Sequence, residues 1–264
     1  MPHYRTIRCY LTDTIHRPYT TRLNKQRIQM ESLIDNSRHR GWTGELLIGS
    51  AFALFRGVVA DDTERHKHYA SQLVYAEKDT AQIERASGAV EVGHELFVPS
   101  DEAHRLFSAS TPIRILFFEP GAQTPTSDLA KLKSLLKSPT WRSTAWSDHL
   151  TFQPGKDPRI QMALDYLVQH IDRPIGAAEL AAMAGLSRSR FMALFSNELG
   201  IPVRRYILWL RLKQAAASIA VGVNITQAAH DAGFSDLAHF SRTMRAAFGV
   251  TASDSLQRLR VTVI

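Results

Sequence analysis

The sequence predicts a two-domain α+β protein, an N-terminal antiparallel β-barrel followed by a C-terminal all-α domain of two tandem helix-turn-helix units. Three observations predict it. Short β-rich segments separated by turn residues fill the stretch from Glu45 to Glu119. Helical periodicity takes over at Pro158 and persists from there. Within that second half, one Gly-turn-helix pattern recurs 48 residues after its first appearance. A chain of 264 residues has room for one or two domains with real cores. The boundaries expected are 1–121 for the β-rich domain, 122–157 for a connector with a short helix, and 158–264 for the helical domain.

In the first half, residues 46–59 read as one β-rich run with Gly49 and Gly57 as bends, after a polar segment, 1–44, expected to be partly helical. Further strands are expected at 72–76, 80–84, 95–98 and 113–118, each β-branched or aromatic and bounded by Gly, Pro, Asp or Ser. This spacing favours an antiparallel sandwich or small barrel. The connector is rich in Pro, Ser and Thr, yet Leu129, Leu132, Leu135 and Leu136 fall at helical spacing among lysines. They predict a short amphipathic helix, packed on the barrel or serving a subunit contact.

Past Pro158, Ile160, Leu164, Leu167, Val168 and Ile171 form one apolar face, ended by Arg173-Pro174. An Ala-rich helix over 177–184 closes at Gly185. Ser187 is the N-cap of the next helix, whose inner face is Phe191, Phe195 and Leu199 and which ends at Gly200. A longer helix covers 203–220. Then Ala184-Gly185-Leu186-Ser187 returns as Ala232-Gly233-Phe234-Ser235, and Phe191, Phe195, Leu199, Gly200 return as Phe240, Met244, Phe248, Gly249. A short helix, a glycine turn, an N-cap and an i, i+4, i+8 core face make a helix-turn-helix. One such unit is weak testimony; two in tandem are specific.

The stretch 160–256 resembles the DNA-binding region of the AraC/XylS transcriptional regulators. The matching residues include Leu180-Ala181, Ala184-Gly185-Leu186-Ser187, Phe191, Phe195, Gly200, Tyr206 and Arg211. They continue through Ala215, Ile225, Ala228-Ala229, Gly233-Phe234-Ser235-Asp236, Phe240-Ser241-Arg242 and Phe248-Gly249. Where the family has Pro and then Tyr-Arg, this chain has Ala252 and Ser255-Leu256, and a looser C-terminal end is expected. The resemblance implies that the second helix of each unit enters the major groove, the two about one DNA turn (~34 Å) apart. The expected DNA-facing residues are Arg188, Ser189, Arg190, Met192, Ala193 and Ser196 in the first unit. In the second they are Leu237, Ala238, His239, Ser241 and Arg242. Small and apolar readers favour thymine methyls, and Arg242 is the strongest single candidate for a base or phosphate contact. Charge agrees in direction: net charge is +7, and residues 158–264 carry 12 Lys and Arg against 7 Asp and Glu.

Eight of eleven histidines precede residue 158. His66-Lys67-His68, with His104 from a later strand, resembles the metal motifs of the cupin barrel that many AraC-type regulators carry. Where metal-binding cupins have a glutamate four residues after the second His, this chain has Gln72. Asp101 stands in place of a glycine. Three imidazoles suit a divalent transition metal, which is the candidate cofactor. His66, His68, Gln72 and His104 are therefore the expected effector or metal site, with an organic-effector pocket as the other use of the same residues.

The expected function is a sequence-specific DNA-binding transcription regulator, not an enzyme, whose barrel senses a small-molecule or metal effector. The alternative is a metal-dependent cupin enzyme with a DNA-binding appendage. Expected partners are double-stranded DNA, the effector, RNA polymerase and a second copy of the chain. Cys9 is the only cysteine, the first residues carry no apolar leader, and no apolar run reaches the ~18 residues of a membrane span. A cytoplasmic protein without a membrane partner is the expectation.

Overall fold

Trp42–Ile48 (β1) and Phe52–Val59 (β2) form an antiparallel hairpin, resolving into two strands the single β-rich run of the sequence. The computed structural model describes residues 41–120, 122, 128–151, 157–256 and 259–264. The expected partial helix before residue 41 and residues 123–127 and 152–156 of the connector lie outside the described residues. Ser71–Ala76 (β3), Ala81–Glu84 (β4), Val90–Gly93 (β5), Glu95–Val98 (β6), Arg105–Leu106 (β7) and Ala109–Phe118 (β8) follow. A last strand, Leu259–Val263 (β9), pairs parallel with β1, so the end of the chain joins the sheet of its first half.

The strands form two sheets: six strands in the order β6-β3-β8-β2-β1-β9, and three in the order β5-β4-β7. This corrects the expected barrel: no continuous hydrogen-bonded ring closes among the described residues. The smaller sheet is built from strands of four, four and two residues, too short to carry the ladder round. Successive residues of β8 serve opposite faces, as a strand requires. Ile113 and Ile115 join Phe55, Val74 and Ile83 in one core. Leu116 and Phe118 join Phe52, Leu54 and Leu73 in a second core, covered by the helix Leu129–Lys137 (α1) through Leu132 and Leu136 and by Trp141 and Trp146. The apolar stripe of the connector thus packs on the sheet.

The helical half follows the periodicity closely: Pro158–Gln169 (α2), Ala177–Met183 (α3), Arg188–Leu199 (α4), Val203–Ala220 (α5), Ile225–Asp231 (α6) and Leu237–Phe248 (α7). Ser187 caps α4 by accepting from the Arg190 amide, and Asp236 caps α7 by accepting from the His239 amide at 2.6 Å. Both helices end on a left-handed glycine, Gly200 at φ 70° and Gly249 at φ 68°. In place of a loose C-terminal end, Ala252–Ser255 forms a short helix (α8) with Ala252, Ser255 and Leu256 buried. Residues Gly41–Ile264 make one compact unit. No helix among the described residues is long and apolar enough to cross a membrane.

Candidate nucleic-acid interface and effector site

The capping and core pattern of α4 and α7 leaves one face of each helix outside. Phe191, Phe195, Leu199, Phe240 and Met244 are buried. Arg188, Ser189, Arg190, Met192 and Ala193 are exposed on α4, and Ser196 is half-buried. On α7, Leu237, Ala238 and Arg242 are exposed, with His239 and Ser241 half-buried. Met192 and Leu237 are large apolar side chains left 42% and 39% exposed, the kind of contact that reads a thymine methyl. Arg242, exposed on α7, offers a donor fork of the kind that binds guanine or phosphate.

The three histidines meet. His66 and His104 face each other across an isolated β-bridge, with both backbone hydrogen bonds at 2.9 Å and ring centroids 4.2 Å apart. His68 stands edge-on to His104 at 5.1 Å. One ring nitrogen from each of the three lies within 4.8 Å of the others. Each Nδ1 touches a backbone carbonyl: Glu64 for His66 at 2.8 Å, Ala70 for His68 at 2.7 Å, Glu102 for His104 at 2.9 Å. A carbonyl only accepts, so each Nδ1 carries the proton and each Nε2 keeps its lone pair. Gln72, the fourth residue singled out by the motif, reaches His68 Nε2 at 2.9 Å and His104 Nε2 at 3.2 Å with its Oε1. Burial disfavours the imidazolium in all three. It holds His66 and His104 below the usual histidine range and His68 at about 4. Neutral imidazole is the ligating form, and its Nδ1–H···O=C bonds are the outer contacts that orient metal-bound histidines. The donor set therefore fits a divalent transition ion. Asp101, where the cupin pattern has glycine, takes the left-handed backbone conformation that glycine adopts freely, at φ 65°.

Sequence reasoning missed the seam between the sheets and the helices. Arg205 of α5 pairs with Asp101 at 2.5 Å, and Tyr206 and Trp209 stand edge-on to Tyr69 at 5.7 and 6.2 Å. The Trp209 indole N–H donates to Glu119 Oε1 at 3.0 Å, and Lys213 binds that same oxygen and the Ser50 carbonyl. At the end of α7, the amides of Glu64 and Lys67 donate to the carbonyls of Gly249 and Ala246, at 2.9 and 3.4 Å. Beside this seam lies an apolar cavity whose walls include Trp42, Phe117, Trp209, Lys213 and Phe248. The Trp42 indole N–H is buried with no partner among the described residues. No spacing rule finds these residues, because they are brought together only by the packing of one half on the other.

Comparison with known proteins agrees with the helical reading. Residues 180–258 match the family described as a helix-turn-helix domain. A probable transcriptional regulator, LumQ of Photobacterium leiognathi, is 35% identical over 105 residues, 39% of this chain and 42% of that protein. The chain thus spans less than half the length of that relative. The crystal structure of ToxT from Vibrio cholerae O395 superposes over 77% of this chain and 95% of its own with a TM-score of 0.51 at 12% identity, a likeness of fold. A second ToxT structure, from Vibrio cholerae strain SCE256, is described as bound to an unsaturated fatty acid. It covers 76% of this chain and 93% of its own at 11% identity, TM-score 0.50.

Proposed function

We propose that this chain, whose residues 180–258 form a helix-turn-helix domain of the AraC type, is a sequence-specific DNA-binding transcription regulator governed by a ligand of its sheet half. The observation that carries the reading is the pair of recognition helices. Both α4 and α7 are capped, both bury one apolar face, and both leave most of their expected base-reading positions exposed. Selection from a random duplex library with the full chain, followed by footprinting, tests it. The expected product is a site with two protected major-groove segments about one turn apart. Enrichment of no sequence overturns the reading. That the relatives are named as transcriptional regulators favours a regulator over a metal-dependent cupin enzyme. The sheet pair is read as a cupin-like sensor, the protein as cytoplasmic, and RNA polymerase and a second copy of the chain as its protein partners.

The effector has two seats, both at the seam. The histidine cluster with Gln72 offers a divalent ion four ligands. The apolar cavity offers a hydrophobic molecule a dry wall, with the unpartnered Trp42 N–H for an acceptor group. The fatty-acid complex of the ToxT fold supports the second seat. Either ligand acts by linkage: it shifts DNA affinity by its differential affinity for the two arrangements of sheet and helices.

A further inference from the structure

The backbone that orients the imidazoles also holds the end of the second recognition helix. Glu64 does both at once. Its carbonyl accepts from His66 Nδ1 at 2.8 Å, its amide donates to the Gly249 carbonyl at 2.9 Å, and its carboxylate pairs with Arg245 of α7 at 3.6 Å. Lys67, set between two of the imidazoles, donates its amide to Ala246 in the last turn of α7. These two amides take up carbonyls that a helix C-terminus leaves without partners. The Phe248 ring lies 6.0 Å from that of His68. Gly249 is in contact as well: a Cβ there would collide with Glu64 O and fall 2.7 Å from His66 Nδ1. The histidine site and the α7 terminus are one packed structure.

Within that structure, acceptors outnumber donors. The Nε2 lone pairs of His68 and His104 converge on Gln72 Oε1, which stands within hydrogen-bonding distance of both with no hydrogen between, and a ring nitrogen of His66 lies within 4.8 Å of theirs. Acceptors gathered in a buried site call for a cation. Imidazole and amide oxygen select a Zn(II)- or Ni(II)-class ion over Mg(II) or Ca(II). Turned over, the Gln72 amide would donate to both nitrogens and close the cluster without an ion. That arrangement is the competing outcome of the test.

We propose that a divalent transition ion bound by His66, His68 and His104 clamps the end of α7 to the sheet half and so tightens DNA binding. The proposal rests on the reading of the chain as a ligand-governed DNA-binding regulator. Its sign follows from what the clamp leaves free. The contact uses Arg245, Ala246, Phe248 and Gly249, whereas Leu237, Ala238 and Arg242 remain exposed. The helix between the two units is already tied to the sheets through Arg205, Trp209 and Lys213. Fixing the second unit to the same body removes freedom that DNA binding would otherwise have to remove.

The experiment uses the full chain and Zn(II) alone as probe. Calorimetry and native mass spectrometry count bound zinc, hydrogen exchange follows residues 63–68 and 244–250, and anisotropy measures affinity for the duplex enriched by selection. Expected are one zinc per chain, slower exchange in both segments, and DNA binding tighter by at least about fivefold, the low end of ordinary couplings. His68→Ala should abolish all three effects. Glu64→Ala removes the Arg245 pair but keeps the backbone carbonyl that orients His66, so it should keep zinc and reduce the gain in DNA affinity. Gly249→Asn tolerates the left-handed backbone but forces α7 away from both Glu64 and His66, so it should lose the gain in DNA affinity. DNA binding with no zinc uptake overturns the ion and leaves the regulator standing. Zinc uptake with unchanged or weakened DNA binding overturns the clamp. Failure to enrich any duplex overturns the regulator itself and the clamp with it.

Discussion

Glu119 Oε1 accepts both the Trp209 indole N–H, at 3.0 Å, and the Lys213 ammonium, so one carboxylate oxygen beyond β8 ties the sheets to the helix between the two helix-turn-helix units. Glu119 is 1% exposed, and its other oxygen is buried without a partner. Such a pair stabilises little over an apolar replacement, but breaking it strands a charge. Glu119→Gln should therefore cost about 3 kcal/mol, the low end for a broken buried pair, because Lys213 retains some contact with solvent. Glu119→Gln with Lys213→Met should recover most of that loss. Urea unfolding of the four proteins in a double-mutant cycle reads the coupling, and additive losses would contradict it.

A half-buried carboxylate sets the acid limit of the sheet half. Burial alone would raise the Glu77 carboxyl, but hydrogen bonds from Arg56 of β2 and Arg114 of β8 outweigh it and hold it below its usual range. Arg114 also donates to the carbonyls of Leu136 and Ser138, so Glu77 supports the seat of α1. A depressed folded pKa stabilises above the unfolded value of ~4.3, and that stabilisation is lost as pH falls through the lower folded value. Wild-type stability should fall between about pH 5 and pH 3. Glu77→Gln should lose about 2 kcal/mol at pH 7, as for hydrogen bonds to charged groups, and flatten that slope. Denaturant midpoints at several pH values check both, and an unchanged slope would exclude Glu77 as its source.

Helices of the second half were legible because each boundary has a local cause: Ser187 and Asp236 as caps, Gly200 and Gly249 as left-handed stops, and large apolar residues every fourth position between them. The sheet half was less so. Strand β5 buries nothing and β7 has two residues, so neither leaves a pattern in the chain. In β9, the alternation Leu-Arg-Val-Thr-Val is readable, but its pairing with β1, more than 200 residues away, is not local information. The meeting of His66, His68, Gln72 and His104 could be anticipated because the motif carries their spacing. Glu119, Trp209 and Lys213 belong to no motif and become partners only through the seam.

Salt tests the electrostatic part of DNA binding. The helical half carries the larger share of the excess positive charge, and each phosphate it neutralises releases counterions. With roughly five to eight contacts, log K for the full chain should fall against log salt with a slope between about −4.5 and −7. A flat profile in a filter-binding or anisotropy titration would remove phosphate contact as the source of affinity.

Arg242 decides whether the second recognition helix reads sequence or only grips the backbone. It is exposed on α7, two residues beyond the buried Phe240 and on the face away from Met244, with Ser241 and the Asp236-capped first turn beside it. A guanidinium in the major groove makes two parallel bonds to guanine O6 and N7, worth about 1–3 kcal/mol of discrimination, whereas a phosphate contact carries none. Arg242→Ala should accordingly weaken the selected site by about 1–3 kcal/mol and relax preference at one base pair, with competitor duplexes nearly unaffected. Ser189→Ala on α4 should change little, because one hydroxyl serves donors and acceptors alike. Affinities of both variants across a panel of single-base-pair substitutions separate the roles. Equal weakening on every duplex would make Arg242 a phosphate contact and leave base reading in α7 to the apolar surface of Leu237 and Ala238.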